Sequence, residues 1–525
     1  MNDRLKGLSL FLFSLTVYLL QSNGLLAQLP PRVDLQFVTF SGPWEKTLFL
    51  EKQPRNNDFY LRLFLSAAPG SGESLYSAAS ARIENYLREL NTTSFQKKPE
   101  KTRIQMIQKK MQEMFLKRYS FESTFDRIFI DGSYNSYTAS ALTYLLLDRL
   151  GIPSEMRQQE DGVSILAFPV GKVQEISFPV PESFTFQVDE NIKDAFIGFL
   201  AGQKKIQEDE GKGSHREDIF SEYFFGKAVL QPDNLAGLLY MLAGLSEARQ
   251  GNTRPTMDMM LKSYVLNPAM RQWFYAVSIL GNCFRSAEFK TAKDWDLFIM
   301  ASWFVGSGVE VEEINAEYGR VTQRILIENG ELEHYSGMSE YMLKGIADLN
   351  VHSELNYIYQ YEKGRFYFLK ANFSEAIKSF QAAYLEKSRS IEVQTAFVAC
   401  IHTGLQGMNL AERIGKFDEW NQQFPDLETN GLYMLIYLST LLEHFTSLYD
   451  LAEVVQAEKY RSMFEQLAAG HKDVNLPTSE IGEAYTAAAL YYFKKGQSKK
   501  AREILLKGLE LSPGNELLLY RLRSI

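Results

Sequence analysis

The chain has 525 residues, of which 45% are hydrophobic, 23% charged and 13% aromatic. This composition excludes a disordered, collagen-like or disulfide-dense protein and supplies enough apolar material for two or three domains. The 56 lysines and arginines against 64 aspartates and glutamates give a net charge of −8. We identify no basic stripe in this acidic chain, so nucleic acid is not an expected partner.

Residues 1–27 have the pattern of an export signal. Arg4 and Lys6 precede an apolar run at residues 8–20, and Ala27 is the expected last residue removed. An uncleaved membrane anchor is the alternative, although a run of this length is shorter than the about 20 residues that span a bilayer. The pattern therefore predicts an exported protein.

The segments that follow contain both strand and helix patterns. Residues 33–40 alternate apolar and polar side chains, which predicts a strand, and residues 126–130 predict a second short strand. The apolar residues 58–67 fit either a strand or a helix. Residues 101–118 repeat apolar side chains at helical spacing, which predicts an amphipathic helix packed on a core. A basic helix on a membrane surface is the alternative for this segment, but the acidic chain and the internal position argue against it.

A stronger helix pattern covers residues 136–150. Gly151 and Pro153 follow it directly, and these residue types commonly end a helix. Two further apolar segments, residues 163–170 and 173–178, predict adjacent strands that form a hairpin. A helix followed by antiparallel strands is typical of an α+β domain.

Residues 202–218 have almost no apolar side chain and predict a linker. Beyond this segment nearly every pattern is helical, so the N-terminal and C-terminal parts of the chain are expected to differ in fold class. The predicted organisation is a signal peptide (1–27), an α+β domain (28–201), the linker (202–218) and an all-α domain (219–525).

The all-α region contains a self-similar pattern with a period near 34 residues, which is the period of the tetratricopeptide repeat. The clearest copy covers residues 482–515, a second begins near residue 358, and a third, more degenerate copy includes Gly244 and Met260. Small residues in such a copy let two helices approach closely, and large ones fill the space between them. The pattern predicts a tetratricopeptide-like solenoid that presents a groove to a protein partner, although another all-helical fold remains open for residues 280–350.

The run of residues 132–153, GSYNSYTASALTYLLLDRLGIP, resembles the core of the transglutaminase-like, papain-type family. In that family a nucleophilic cysteine begins an Ala/Leu-rich helix, where the helix N-terminus favours the thiolate. A histidine on the next strand acts as base, and an Asp or Asn orients it. The resemblance covers about residues 70–200 and implies a transglutaminase-like fold for this region.

This chain lacks the side chains that the family uses for catalysis. Ser136 occupies the nucleophile position, and the base position, near Gly162, carries no imidazole. None of the six histidines lies between residues 100 and 214, and His215 would require a different geometry. A serine hydroxyl without a base is a poor nucleophile, so we interpret Ser136 as a helix N-cap and expect a pseudoenzyme without catalytic residues.

The combination of an export signal, a transglutaminase-like region and tetratricopeptide-like repeats resembles exported proteins of Gram-negative bacteria. It implies a non-catalytic scaffold in the periplasm or at the outer-membrane periphery, with other envelope or outer-membrane proteins as partners. Membrane association is then expected only through those partners. Two alternatives stay open: a serine-variant hydrolase or acyltransferase acting on peptide or peptidoglycan, and a glycan-binding module that uses surface aromatic rings.

Other chemistry has little support in the sequence. There is no phosphate-binding loop motif, no HExxH sequence and no CxxC pair. The acidic runs at residues 208–210 and 310–313 are interpreted as solvated surface, so no metal and no cofactor is expected. Cys283 and Cys400 are expected to be buried free thiols, with a disulfide as the alternative that an oxidising compartment would allow.

Overall fold

The computed structural model describes residues 31–160, 162–178, 181, 188–207, 215–226 and 229–525. These residues are mostly helical, and they form two compact units. The first unit comprises Met1–Val321 and Glu340–Val351, and the second comprises Thr322–Ser339 and His352–Ile525. The predicted signal peptide at residues 1–27 lies outside the described residues.

The helices of the first unit are short or of moderate length, and most bury one face. They are α1 (Pro43–Leu50), α2 (Asn57–Ser66), α3 (Glu73–Leu90), α4 (Thr93–Gln96), α5 (Glu100–Met114), α6 (Arg127–Ile130), α7 (Ser136–Arg149), α8 (Glu190–Gly202), α9 (Arg216–Phe224), α10 (Pro232–Arg249), α11 (Thr253–Leu266), α12 (Met270–Ser286) and α13 (Ala292–Trp303). The unit boundaries fall within α14 (Val311–Thr322), α15 (Leu332–Gly345) and α16 (Leu349–Leu369), and a π-helical turn (Gln323–Glu328) follows α14.

Among the described residues, six short strands belong to the first unit. They are β1 (Arg118–Tyr119), β2 (Ser133–Tyr134), β3 (Ser154–Gln159), β4 (Gly162–Ala167), β5 (Gln174–Ile176) and β6 (Val229–Leu230). β1 and β2 pair in parallel, whereas the other four form an antiparallel sheet in the order β5-β4-β3-β6. The predicted hairpin is therefore confirmed as β4 and β5, and the predicted amphipathic helix is confirmed as α5.

Two strand predictions in the first unit are wrong. Residues 33–40 contain a 3-10 turn, Leu35–Phe37, because the Asp34 carboxylate accepts a hydrogen bond from the backbone N–H of Gln36 and caps the turn. The segment predicted as a strand at residues 126–130 is one helical turn, α6. Both segments are too short for alternation or apolar content alone to separate strand from helix. The ambiguous residues 58–67 belong to α2, except Ala67, which is its C-cap.

The first compact unit extends past residue 201, the predicted end of the first domain. A buried ion pair joins α11 to α1. Lys262 Nζ on α11 lies 2.8 Å from Glu45 Oε1 on α1, and both side chains are at most 1% exposed. The Tyr240 hydroxyl donates a hydrogen bond of 2.7 Å to the same carboxylate, which brings α10 into the cluster. These contacts hold α10 and α11 against α1, which lies more than 180 residues earlier in the chain than α10.

The region predicted as a linker is partly helical. Residues 208–214 lie outside the described ranges, but Arg216 and Asp218 belong to α9. Arg216 forms an ion pair with Asp194 on α8, at 2.6 Å, and Phe220 packs edge-on against Phe196. The described end of the polar segment is therefore part of the packed structure.

The second unit consists of successive helices around one continuous hydrophobic core that extends from Ala376 to Leu518. Its helices after α16 are α17 (Phe373–Glu386), α18 (Ile391–Leu405), α19 (Leu410–Gln423), α20 (Gly431–Asp450), α21 (Val454–Gly470), α22 (Thr478–Lys494), α23 (Ser498–Leu511) and α24 (Glu516–Ser524). Short turns connect most neighbours, as expected for stacked helical hairpins.

The predicted repeats correspond to helix pairs. The copy at residues 482–515 is the hairpin of α22 and α23, where Ala489 and Ala501 are buried and a methyl group at Gly508 would lie 2.9 Å from the Tyr485 side chain. The copy near residue 358 is the pair of α16 and α17. The third copy forms α10 and α11, which pack within the first unit. The helical-repeat prediction is therefore confirmed for the second unit.

Candidate functional site

The turn that leads to Ser136 is fixed by its neighbours. β2 pairs with β1, and Gly132, which has a φ of 76°, lies so close to Lys117 that a methyl group there would approach the Lys117 side chain to 2.5 Å. The Asp131 carboxylate accepts a hydrogen bond from the backbone N–H of Ser133. This backbone hydrogen bond, a side-chain bond from Ser133 and the nearby Arg127 lower the pKa of Asp131.

The N-cap of α7 is Asn135, and the prediction that Ser136 is the cap is wrong. The Asn135 side chain accepts from the backbone N–H of Thr138, while the Thr138 hydroxyl accepts from the backbone N–H of Asn135. Asn135 Nδ2 also donates to the carbonyl oxygens of Phe121 and Ser123. Asparagine caps as well as serine does, and only Asn135 has both the extended backbone and Thr138 three residues on.

The structure brings together the two positions that the family resemblance selected. The backbone N–H of Val163, the second residue of β4, donates to Ser136 Oγ at 3.3 Å. Gly162 lies directly against the same hydroxyl, because a methyl group at this position would be 1.9 Å from Ser136 Oγ. Ser136 itself is only 4% exposed.

A second serine fastens β4 to α7. The Ser140 hydroxyl, one helical turn after Ser136, donates to the carbonyl oxygen of Val163 at 2.5 Å. The backbone of Val163 is therefore held through both its N–H and its C=O by the two serines. Sequence reasoning missed Asn135 and Ser140, although the spacing of Asn135 and Thr138 is a recognisable capping signal.

This arrangement gives the Ser136 hydroxyl a structural hydrogen bond and leaves it covered by backbone. Among the described residues, no histidine, lysine or carboxylate side chain hydrogen-bonds to it, and His215 has an 82% exposed side chain. A nucleophile needs a base within hydrogen-bond reach and space for the attacked atom. The described geometry provides the hydroxyl with neither.

The two thiols lie in buried surroundings. Cys283 and Cys400 are free and buried, as predicted. Burial raises the pKa of each to about 12, so both remain protonated thiols at neutral pH. Within the described ranges no group of three or more His, Cys, Asp and Glu side chains is arranged to hold a metal ion.

The second unit presents a tyrosine pair at the edge of its core. Tyr357 and Tyr361 on α16 are half-buried and stacked, with ring centroids 5.8 Å apart, whereas Tyr359 between them is 3% exposed. Lys387 Nζ lies 4.5 Å from the centre of the Tyr357 ring and pairs with Glu354 at 2.7 Å. Burial, then a hydrogen bond to Glu392, raises the pKa of Tyr361, so its hydroxyl stays protonated.

Large apolar side chains also reach solvent in this unit. Leu385, at the end of α17, is 70% exposed, and Ile391, at the start of α18, is 80% exposed. Glu386, next to Leu385, accepts a hydrogen bond from Asn356 on α16, and Glu392, next to Ile391, hydrogen-bonds to Tyr361. Exposed aliphatic residues placed in this way beside half-buried tyrosines are typical of protein-binding surfaces, where Tyr is enriched. We call Tyr357, Tyr361, Leu385 and Ile391 the tyrosine surface.

None of the helices in the described part of the chain combines the length and the apolar character needed to cross a bilayer. No protein-family model and no curated protein matches the chain. A chain in the solved structure of Naa15/Naa10 bound to HypK-THB matches at 13% identity over 61% of this chain and 53% of that chain, with a TM-score of 0.17. This chain thus spans about half of the length of the chain that it matches. Because this score is too low to relate two folds, the helical-repeat character rests on the helix pairs of the chain itself.

Proposed function

We propose that this protein is a non-catalytic scaffold that binds partner proteins through the helical repeats of its second unit. The observation that carries this proposal is the continuous core of stacked helical hairpins with the tyrosine surface at its edge. Stacked hairpins form rigid extended surfaces, and half-exposed tyrosines lose little conformational entropy when they are covered.

The first unit has a supporting role in this proposal. A degenerate transglutaminase-like domain would keep its helix and strands while the position of its nucleophile becomes part of the packing. The covered Ser136 hydroxyl and its hydrogen bond from Val163 support this role. They weigh against the alternative of a serine-variant hydrolase or acyltransferase, which requires an accessible hydroxyl and a base.

The compartment belongs to the proposal as well. The basic start and the apolar run within residues 1–27 support export, and the proposed location is the periplasm or the outer-membrane periphery of a Gram-negative bacterium. The proposed partners are envelope or outer-membrane proteins. No cofactor and no metal is part of this proposal.

Photocrosslinking in the cells that express the protein tests it. A benzophenone side chain in place of Tyr357 should give a small number of defined crosslinked proteins, and a matched benzophenone in place of Lys378, a 66% exposed residue of α17, should give none of them. Loss of the crosslinked products after Tyr361→Ala and Ile391→Ser would assign them to the tyrosine surface. The proposal fails if both positions give the same products or if neither gives any.

A further inference from the structure

The chain is acidic as a whole, but one segment of the first unit is strongly basic, which corrects the expectation that the chain has no basic stripe. Residues 97–118 contain eight lysines and arginines against two glutamates, a net charge of +6, while the whole chain carries −8. This segment includes α5, and the apolar side of that helix, with Ile104, Ile107 and Met111, is buried. Four of the eight basic residues lie on α5, outside its buried side, and the other four flank the helix.

Five lysines of this segment are exposed to solvent. Lys117 donates to the carbonyl oxygen of Glu113, and we call the other four, Lys97, Lys98, Lys101 and Lys109, the lysine face. Two exposed glutamines, Gln105 and Gln112, lie on the same side of α5 as Lys101, because they follow it at helical spacing. Lys110 points elsewhere and pairs with Glu89 at 2.5 Å.

An apolar hairpin tip lies next to this helix. Arg103 on α5 places its guanidinium carbon 5.2 Å from the centre of the Phe168 ring, and Phe168 precedes the turn between β4 and β5. Val170 in that turn is 97% exposed, and Val173 is 46% exposed. We call Val170 and Val173 the valine tip.

We propose that the lysine face and the valine tip dock together on the surface of an anionic lipid bilayer. Anionic headgroups attract lysines, and an exposed aliphatic tip gains free energy when it enters the boundary between headgroups and acyl chains. A nucleic acid or a polyphosphate would use the lysines but not the valines. This inference goes beyond the proposed function, which concerns protein partners of the second unit. It replaces two expectations from the sequence, that residues 101–118 do not bind a membrane surface and that membrane association occurs only through partners.

The acidic net charge of the chain does not prevent this docking. Interactions between exposed charges are screened over a Debye length of about 8 Å at physiological ionic strength. The lipid surface therefore responds to the local +6 of residues 97–118 more than to distant carboxylates. The binding should weaken as salt concentration rises.

Vesicle co-sedimentation of the full chain tests the proposal. The vesicles contain phosphatidylcholine alone or phosphatidylcholine with 30% phosphatidylglycerol. A variant with Lys97→Gln, Lys98→Gln, Lys101→Gln and Lys109→Gln is compared with a control of equal charge change: Lys472→Gln, Lys494→Gln, Lys495→Gln and Lys499→Gln, all exposed in the second unit. Because residues 8–20 could adhere to any vesicle, the readout is the difference between the two variants.

The expected result is at least a tenfold loss of binding to the anionic vesicles for the lysine-face variant and less than a twofold change for the control. Val170→Ser with Val173→Ser should weaken binding about threefold without changing its salt dependence. Circular dichroism verifies that the variants remain folded. Equal losses in the two lysine variants would overturn the proposal. So would equally tight binding of soluble polyphosphate that is unaffected by the valine substitutions.

Discussion

Two polar networks stabilise the two units, and they differ in how far water reaches them. In the first unit Glu45, Lys262 and Tyr240 form a cluster in which no member is more than 1% exposed. In the second unit Glu458 on α21 accepts hydrogen bonds from Tyr449 and Tyr492 while 28% of its side chain remains exposed. The first network is therefore closed to water, whereas the second stays in contact with it.

The difference has a physical cause. A fully buried charge has lost its hydration, so removing its partner leaves an uncompensated ion. Burial alone would raise the pKa of Glu458, but hydrogen bonds from Tyr492, Arg461 and Tyr449 lower it to about 2. The first network joins segments 217 residues apart in the chain, and the second aligns neighbouring hairpins. In the first unit a buried ion pair thus connects distant segments of the chain. In the second unit partly exposed tyrosine–carboxylate hydrogen bonds connect neighbouring hairpins.

The largest expected effect is that of removing Lys262. Lys262→Met should lower the free energy of unfolding of the first unit by about 3–5 kcal/mol, because the Glu45 carboxylate then stays buried without its cation. Urea denaturation measures the loss, and hydrogen exchange should place it in α10 and α11. In Lys507→Met, the control, the broken ion pair with Glu510 is exposed, so at most about 1 kcal/mol should be lost.

Adding Glu45→Gln to Lys262→Met sharpens this test. The double variant no longer buries a charge, so it should recover part of the lost stability. If Lys262→Met costs less than about 1 kcal/mol, the buried pair is not what connects α11 to the start of the chain.

The second network should make the second unit sensitive to acid. Because the pKa of Glu458 is lowered from 4.5 to about 2, its contribution is complete above pH 5 and is lost as pH falls toward 2. After a discount for solvent screening, the loss should be about 2 kcal/mol. Denaturation curves at pH 6 and at pH 2–3 measure it, and Glu458→Gln should show a smaller pH dependence.

Glu375→Gln is the matched control for this pH effect. Glu375 pairs with Lys378 on the surface of α17, where the lysine is 66% exposed. Its substitution should leave the pH dependence of unfolding parallel to that of the unsubstituted chain. If Glu458→Gln and Glu375→Gln show the same pH dependence of unfolding, the lowered pKa of Glu458 does not make the second unit sensitive to acid.

A smaller effect is expected where two repeat helices approach most closely. A methyl group at Gly364 on α16 would lie 2.9 Å from the Phe380 ring on α17, so Gly364→Ala should cost about 1–2 kcal/mol by overpacking. Gly415 on α19 has no atom within 4 Å of such a methyl group. Gly415→Ala should therefore stabilise by up to about 1 kcal/mol through helix propensity. Thermal unfolding measures the change in stability of both variants. A change of the same sign in the two variants would contradict the packing described for Gly364 and Gly415.

The features that the sequence could predict are those that depend on neighbouring residues or on a fixed period. Local signals were sufficient for α5, for the end of α7 at Gly151 and for the hairpin of β4 and β5, because each depends on neighbours in the chain. The repeat at residues 482–515 was also predictable, since its small residues recur at a fixed period. Helix and hairpin patterns thus located most of the elements that surround Ser136.

Contacts between distant residues were not predictable in this way. No local pattern shows that Lys262 meets Glu45, so this contact between residues 217 positions apart could not be predicted. Residues 33–40 alternate apolar and polar side chains as a strand does. Their turn is held by Arg254, which donates a hydrogen bond of 2.9 Å to the carbonyl oxygen of Phe37. The cover that Gly162 forms over Ser136 depends on tertiary packing, although the sequence indicated both positions.

The smallest effect should come from the candidate site itself. Ser136→Ala removes one hydrogen bond of 3.3 Å to β4 and should cost about 1 kcal/mol in unfolding free energy, with no loss of partner crosslinking. Ser140→Ala, which removes the neighbouring bond to Val163, should have a similar cost. If Ser136→Ala abolishes a biological activity while Ser140→Ala does not, the hydroxyl has a role beyond packing.

Reaction with a fluorophosphonate probe tests the central claim most directly, because this reagent labels activated serines. The full chain and its Ser136→Ala variant are incubated with the probe at neutral pH, and intact-protein mass spectrometry follows the adduct. With the hydroxyl covered by β4, we expect no adduct on either protein. An adduct on the unsubstituted chain that is lost in Ser136→Ala would contradict the account and would establish a serine nucleophile.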